Sequence, residues 1–287
     1  MALLGGRKSL LIYTGRKDGL GNRMRALLSG KALAETEDRD LYYVWSADSY
    51  FAPRLDQLWH LDGARLVPRL VSRAISPLHR YRGTDFSTVS AADRAAHLWQ
   101  VRTRGMELTT GPQVRPWGAE LRRLTPIAPI AERVRDTFAN GLAGRPYVGV
   151  QVRAHTSRHA KTAAFPVEWF AERMRAIREQ APVITFFLSC DTEEVQAGLI
   201  KEFGNCVALE DKGGFNTVEG VQSSIADLYL LASAQHLIGA AHSSFVEMAV
   251  HLCGGIIPFE RPNQPLEGDL DLSLGLAANP LTPAQRS

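Results

Sequence analysis

Five groups of polar residues follow apolar runs in this chain, where an α/β sheet presents side chains to a ligand. The first comes after Ser9-Leu10-Leu11-Ile12-Tyr13 and holds Gly15, Gly19, Gly21, Asn22, Arg23 and Arg25. Glycines let a backbone approach a phosphate or sugar closely, and a helix N-terminus adds partial positive charge. The segment Gly19-Leu20-Gly21-Asn22-Arg23-Met24 is neither a GxGxxG fingerprint nor a P-loop, so a tight turn carrying solvated arginines fits it equally well. The second group starts with Arg153, straight after Tyr147 to Val152, where a diphosphate is the natural partner of a guanidinium. Behind it runs the polar, cationic segment His155 to Thr162, which includes Arg158, His159 and Lys161.

The third group is Ser189-Cys190-Asp191. Asp191 with Glu194 three residues later has the spacing of a capping box, and capping is the stronger reading. The fourth is Asp227, expected in the first turn of an apolar helix, where a carboxylate is electrostatically favoured. The fifth is His242-Ser243-Ser244. Two serines at a helix start cap it, and they equally offer hydroxyls and N–H groups to a phosphate. No HExxH or GxSxG occurs. The two DxD triplets, Asp38-Arg39-Asp40 and Asp269-Leu270-Asp271, read as turn and loop, so no metal site is expected.

Regular elements must position these groups. Asp40 precedes a second strand, Leu41 to Trp45, and Pro53 opens a short helix over 53–61. From 68 to 140 periodicity is poor, with short helices expected around 89–99 and 130–140. Gly141 to Pro146 reads as a hinge. Beyond it, strands at 147–152, 183–189, 207–209, 236–239 and 255–259 alternate with helices at 166–180, 192–203, 224–234 and 243–252. Apolar strands alternating with helices predict a parallel sheet covered on both faces. The chain therefore reads as two α/β halves, residues 1–142 and 143–287, with a loose tail over 279–287. In such folds ligands bind at the carboxyl ends of the strands.

The bulk composition narrows the class. Of 287 residues, 45% are hydrophobic and 22% charged, as in ordinary globular domains. A net charge of +3, spread along the chain, lacks the basic stripe of a nucleic-acid binder. Cys190, Cys206 and Cys253 have neither disulfide nor metal spacing, and the first two read as buried thiols. Arg7 and Lys8 interrupt the apolar N-terminus, and no run reaches the ~18 residues of a membrane span. A reducing, cytoplasmic setting is the expectation.

Taken together, these stretches resemble the GDP-fucose fucosyltransferase superfamily, especially α-1,6-fucosyltransferases and their bacterial nodulation relatives. Val148 to Arg153 followed by Thr162 to Trp169 is similar to the family's strand-and-arginine run and its later Ala-Ala-Phe segment. Ile184 to Asp191 and Asp227 to Phe245 match further elements in order and approximate spacing. The Gly19 to Arg23 turn resembles the N-terminal glycine motif of related transferases. The resemblance spans about 147–259, and only the turn matches in the N-terminal half.

The resemblance implies an α/β GT-B fold with two facing Rossmann-like domains and parallel sheets, the first on the acceptor side and the second binding a nucleotide sugar. It implies an inverting glycosyltransferase that moves fucose from GDP-fucose to a hydroxyl of a glycan or small-molecule acceptor, without metal or other cofactor. Arg153 falls on the residue that binds the pyrophosphate, Asp227 on the one that reads guanine, and Ser243 or Ser244 on the serine near the β-phosphate. Gly19, Gly21, Asn22, Arg23, Gln151, Asp191 and His242 complete the expected substrate-binding set. Three positions depart from the pattern. Gln151 replaces a histidine, Ala154 a second arginine, and Thr162 an acidic residue that is the usual candidate base. Either His155, His159 or Glu168 takes that role, or the acceptor needs little help from a base. A donor other than GDP-fucose, or a non-catalytic nucleotide- or glycan-binding role, is the alternative these departures raise.

Overall fold

A computed structural model describes residues 6–77, 91–102, 105–108, 113–154, 167–266 and 268–286. The chain divides into two units, Met1–Ile127 with Phe215–Val221, and Ala128–Gly214 with Gln222–Ser287.

The first unit contains β1 (Ser9–Tyr13), α1 (Leu20–Thr36), β2 (Asp40–Val44), β3 (Trp59–His60), β4 (Ala64–Leu66), α2 (Arg69–Ile75), α3 (Ala91–Ala95), β5 (Leu98–Arg102), α4 (Trp117–Leu121) and β6 (Thr125–Pro126). Its main sheet has the order β4-β2-β1-β5 with every pairing parallel, and β3 with β6 forms a separate antiparallel pair. All five residues of β1 are buried, which is why the strand reads as an unbroken apolar run. Helix α1 lies so close to β1 that a Cβ on Gly30 would fall 2.5 Å from Ile12.

The second unit contains α5 (Ala128–Thr137), a π-helical turn Phe138–Leu142, β7 (Tyr147–Val152), α6 (Val167–Gln180), β8 (Thr185–Cys190), α7 (Glu193–Phe203), β9 (Cys206–Ala208), α8 (Val218–Ala232), β10 (His236–Gly239), α9 (Ser244–Leu252) and β11 (Phe259–Glu260). Its sheet runs β11-β10-β7-β8-β9, again entirely parallel. Strand order reverses between β7 and β10. At such a reversal the two adjoining connections leave toward opposite faces and open a crevice beyond the strand ends. Val148, Val150, Phe186, Leu188 and Ile238 pack with Phe170, Met174 and Ile177 of α6 in one apolar cluster.

Several expectations need correction. The helix expected over 53–61 is a single 3-10 turn, Leu55–Gln57, running into β3. The helix expected around 89–99 is present as α3, Ala91–Ala95, but it ends early, and Leu98–Arg102 forms β5 beside β1. The strand expected over 255–259 is reduced to Phe259–Glu260. The boundary between units lies at Ile127–Ala128, ahead of the expected 142–143. Helix α5 and its π-turn belong with the second sheet, because Arg133 bonds the Ser223 hydroxyl at 2.9 Å and Gly141 abuts Val207 of β9. The tail is not loose through Arg286, whose guanidinium donates to the carbonyls of Ala232, Ser233 and Ala234 at the end of α8. The three cysteines are free, with Cys190 and Cys253 buried and Cys206 half-buried. Burial pushes the Cys190 thiol up to about 12 and Cys206 to about 11. Among the described residues, no helix is long and apolar enough to cross a membrane.

Candidate functional site

The second unit gathers polar groups at the carboxyl edge of its sheet. Parallel strands all end on the same side, so whatever follows each strand arrives at one edge. Arg153 and Ala154 follow β7, Asp191 follows β8, Lys212 follows β9, and His242 to Ser244 follow β10. Arg153 is exposed and has no ion pair among the described residues. The Asp191 carboxylate accepts a hydrogen bond from the Ala154 N–H at 2.7 Å. That bond fixes the backbone one residue beyond Arg153. It also corrects the capping expectation, since α7 is preceded by Thr192 and its N-terminus has no side-chain cap bond.

Gln151 is a sheet-edge tie. It is buried, and its Oε1 accepts from the Ala240 N–H at 3.3 Å, linking β7 to the turn that follows β10. That turn contains His242 at φ +56°, left-handed backbone that a residue with a Cβ adopts only at a cost. Ser243 is the N-cap residue of α9, yet its side chain makes no capping bond. Ser243 is buried and Ser244 half-buried, so the first N–H groups of α9 lie beside serine hydroxyls at the β7–β10 reversal.

Asp227 lies deepest, at 3% exposure. Helix α8 starts at Val218, so Asp227 is well inside it rather than in its first turn, and the expected helix-start stabilisation does not apply. Its partners come from neighbouring elements instead. The Ser189 hydroxyl, in β8, donates to Asp227 Oδ2 at 2.9 Å, and Lys212 Nζ donates to the same oxygen at 2.9 Å. The other oxygen, Oδ1, is buried and has no partner among the described residues. Burial pushes the Asp227 carboxyl above the usual carboxylate range, against the opposing pull of Lys212, Ser189 and Arg133.

Two contributors were not picked out from the sequence. Lys212 sits in a turn where Asp211 and Gly213 have φ of +46° and +77°. Arg133 holds this turn by donating to the carbonyls of Glu210 and Asp211. The signal was available, because Lys212 follows a strand of the same sheet as Arg153 and Asp191.

The glycine turn belongs to the first unit, and its role there is largely architectural. Gly15 donates its N–H to Asp18 Oδ2 at 3.0 Å, and a Cβ on Gly15 would collide with that carboxylate. Gly19 is the N-cap residue of α1 with open space around it, and Gly21 is buried in the helix. Asn22 packs against Gly105, where φ is +80° and an added Cβ would fall 2.5 Å from the Asn22 side chain, leaving no room for one. Arg23 is completely buried. It donates to the carbonyls of Asp18, Ser46 and Arg16 at 2.7–2.8 Å and lies over Phe51, 4.4 Å from the ring centroid. Burial brings its pKa down to about 10. The expectation that the arginines of this turn face a ligand is thus corrected for Arg23, whose donors are spent on the backbone.

His155 and His159 lie outside the described residues, as do Lys161 and Thr162. Glu168 is exposed in the first turn of α6. Among the described residues, no group of three or more His, Cys, Asp and Glu side chains is placed to hold a metal ion.

No protein-family model matches the chain, and no curated protein matches it in sequence. Solved structures do. NodZ α-1,6-fucosyltransferase soaked with GDP-fucose superposes with a TM-score of 0.63 at 17% identity, covering 91% of this chain and 98% of that one. A mutant of Arabidopsis thaliana FUT1 in complex with GDP gives 0.58 at 14% identity, covering 91% and 72%. POFUT1 in complex with GDP-fucose gives 0.54 at 12% identity, covering 91% and 99%. These likenesses extend over nearly the whole chain and show that it has the α/β GT-B fold, two Rossmann-like units with parallel sheets.

Proposed function

We propose that this protein is an inverting glycosyltransferase that transfers fucose from GDP-fucose to a hydroxyl of a glycan or small-molecule acceptor. The observation that carries the proposal is the juxtaposition at the β7–β10 reversal of an exposed Arg153 with the start of α9, where the N-cap residue Ser243 makes no side-chain cap bond. A helix N-terminus and a guanidinium together suit a diphosphate. The fold likeness to proteins crystallised with GDP or GDP-fucose supports this choice of ligand.

In this reading the acceptor oxygen forms a bond to the anomeric carbon. The bond from that carbon to the β-phosphate oxygen breaks, and its electron pair leaves with GDP. Arg153 and the first N–H groups of α9 stabilise the negative charge that develops on the departing diphosphate. Asp227 accepts hydrogen bonds from the guanine edge. The acceptor proton goes to His155 or His159, or to Glu168. Charge neutralisation by arginine and helix N–H groups makes a metal unnecessary in this scheme.

The test is calorimetric titration with GDP, UDP and dTDP, followed by incubation with GDP-fucose and a panel of hydroxyl-bearing glycans and small molecules. Tight GDP binding, acceptor-dependent GDP release and a deoxyhexose mass gain on an acceptor support the reading. Preferential binding of UDP or dTDP would assign another donor. GDP binding without transfer to any acceptor would assign a binding role.

A further inference from the structure

The polar arrangement around Asp227 says more than that a carboxylate is present. A buried aspartate with one satisfied oxygen and one orphaned oxygen is costly in a protein interior, and its charge state is what a ligand meets. An ionised carboxylate is acceptor-only and pairs with two N–H donors. A protonated one offers a donor beside an acceptor and suits a different edge. Burial favours the protonated form, and the adjacent cation opposes it in favour of the ionised one.

We propose that Lys212 is a specificity-determining residue of the base subsite. Its ammonium holds Asp227 as an acceptor-only partner, so that the site takes a nucleobase edge bearing two N–H donors. This rests on the nucleotide-sugar reading above. Lys212 Nζ and the Ser189 hydroxyl both occupy Oδ2 at 2.9 Å, and Oδ1 is left for the ligand. The lysine side chain is 21% exposed against 4% for the aspartate, so it can yield Oδ2 to a second ligand donor by moving outward while remaining hydrated. Lys212 sits on a turn shaped by two left-handed residues and held by Arg133, which gives the ammonium a defined position.

Among the described residues, the charged and titratable groups near Asp227 are few. Lys212 and Arg133 favour its ionised form, while the buried thiol of Cys190 feels the carboxylate without supplying charge at neutral pH. Burial works against ionisation. With Lys212 removed, burial is opposed mainly by the Ser189 hydrogen bond and the more remote Arg133. Asp227 then stays protonated to higher pH, and guanine loses its paired acceptors.

The experiment compares the full chain with Lys212→Met and Lys212→Arg. The Asp227 carboxyl ¹³C signal is titrated without ligand, and GDP and UDP binding are measured from pH 6 to 8.5. In Lys212→Met the carboxyl should titrate at higher pH than in the parent. One unit below that midpoint GDP affinity should be down about tenfold, recovering as pH rises, while UDP binding changes little. Lys212→Arg should keep the parental GDP preference. An unchanged Asp227 titration in Lys212→Met, or an unchanged GDP-to-UDP ratio at every pH, overturns the proposal. If the parent binds neither nucleotide, the donor reading falls and the specificity role falls with it, while the ligand-free titration still reports whether Lys212 controls the charge on Asp227.

Discussion

The carboxylate of Asp191 holds the backbone N–H of Ala154 at 2.7 Å. This bond joins the ends of β8 and β7 and sets the direction in which the chain leaves Arg153. Asp191→Ala should weaken GDP binding about tenfold, the scale of one charge-assisted hydrogen bond, with little change in melting temperature because Asp191 is exposed. A positioning role makes the effect conditional. In an Arg153→Ala background, the added loss from Asp191→Ala should vanish. Equal losses in both backgrounds would show that Asp191 touches the ligand itself or acts elsewhere.

Arg153 carries the diphosphate in the proposed reaction. Arg153→Ala should cost about 2–5 kcal/mol in GDP binding, the scale of a truncated charge pair. Stability should be unaffected, since the side chain has no ion pair among the described residues. Titration with GDP and guanosine separates the contributions, because guanosine binding should not change. A parental GDP affinity in the variant would remove the central assignment.

Arg23 is expected to behave in the opposite way. Its guanidinium binds three carbonyls inside the first unit at zero exposure. Arg23→Met leaves those carbonyls short of donors and should destabilise the protein by about 3 kcal/mol or more. Denaturant unfolding of the unliganded protein measures this directly. A stable variant that had lost only ligand binding would reinstate Arg23 as a contact residue.

Glu260, fully buried, accepts from Arg173 Nε at 2.8 Å and pairs with His236 Nε2 at 2.6 Å. Burial alone would raise its carboxyl, but the His236 and Arg173 hydrogen bonds outweigh that and leave it below the usual range. An acid held below its unfolded value binds fewer protons when folded. Its contribution to stability is present above about pH 4.3, the unfolded glutamate value, and is lost as pH falls through the folded one. Unfolding free energy measured from pH 7 to 3 should therefore drop below about pH 4.3. Glu260→Gln should be less stable at neutral pH and show a shallower acid decline. Parallel curves for parent and variant would assign the acid sensitivity to other groups.

How far the sequence revealed these features depended on the pattern each element left. Strands β1, β7, β8 and β10 are buried on both faces, so they appear as apolar runs, and the residues after them were legible as an edge. Strand β5 was not, because Gln100 interrupts its apolar run, and that glutamine is buried where the Ser72 hydroxyl donates to it at 2.6 Å. The partner is 28 residues away and invisible to any local pattern. The early start of α8 was hidden for a related reason, since Val218 to Ser224 is largely polar and mimics a loop. Arg153, Asp191 and Asp227 were found by position, but their partners were not. Lys212 follows a three-residue strand within a turn, where only the folded chain brings it to Asp227.

The seven residues Phe215–Val221 are counted with the first unit although they come far along the sequence. Within it, Asn216 donates its side-chain amide to the Tyr50 carbonyl at 2.7 Å and accepts from the Ala52 N–H at 3.0 Å. A gene cut after codon 127 would therefore not yield two self-sufficient polypeptides. The N-terminal piece would lack a strip that ties down its 50–52 loop, and the C-terminal piece would carry that strip with nothing to bind. Split-protein reporters, truncation libraries and domain-swapped chimaeras built from this scaffold should transplant residues 215–221 together with the N-terminal fragment.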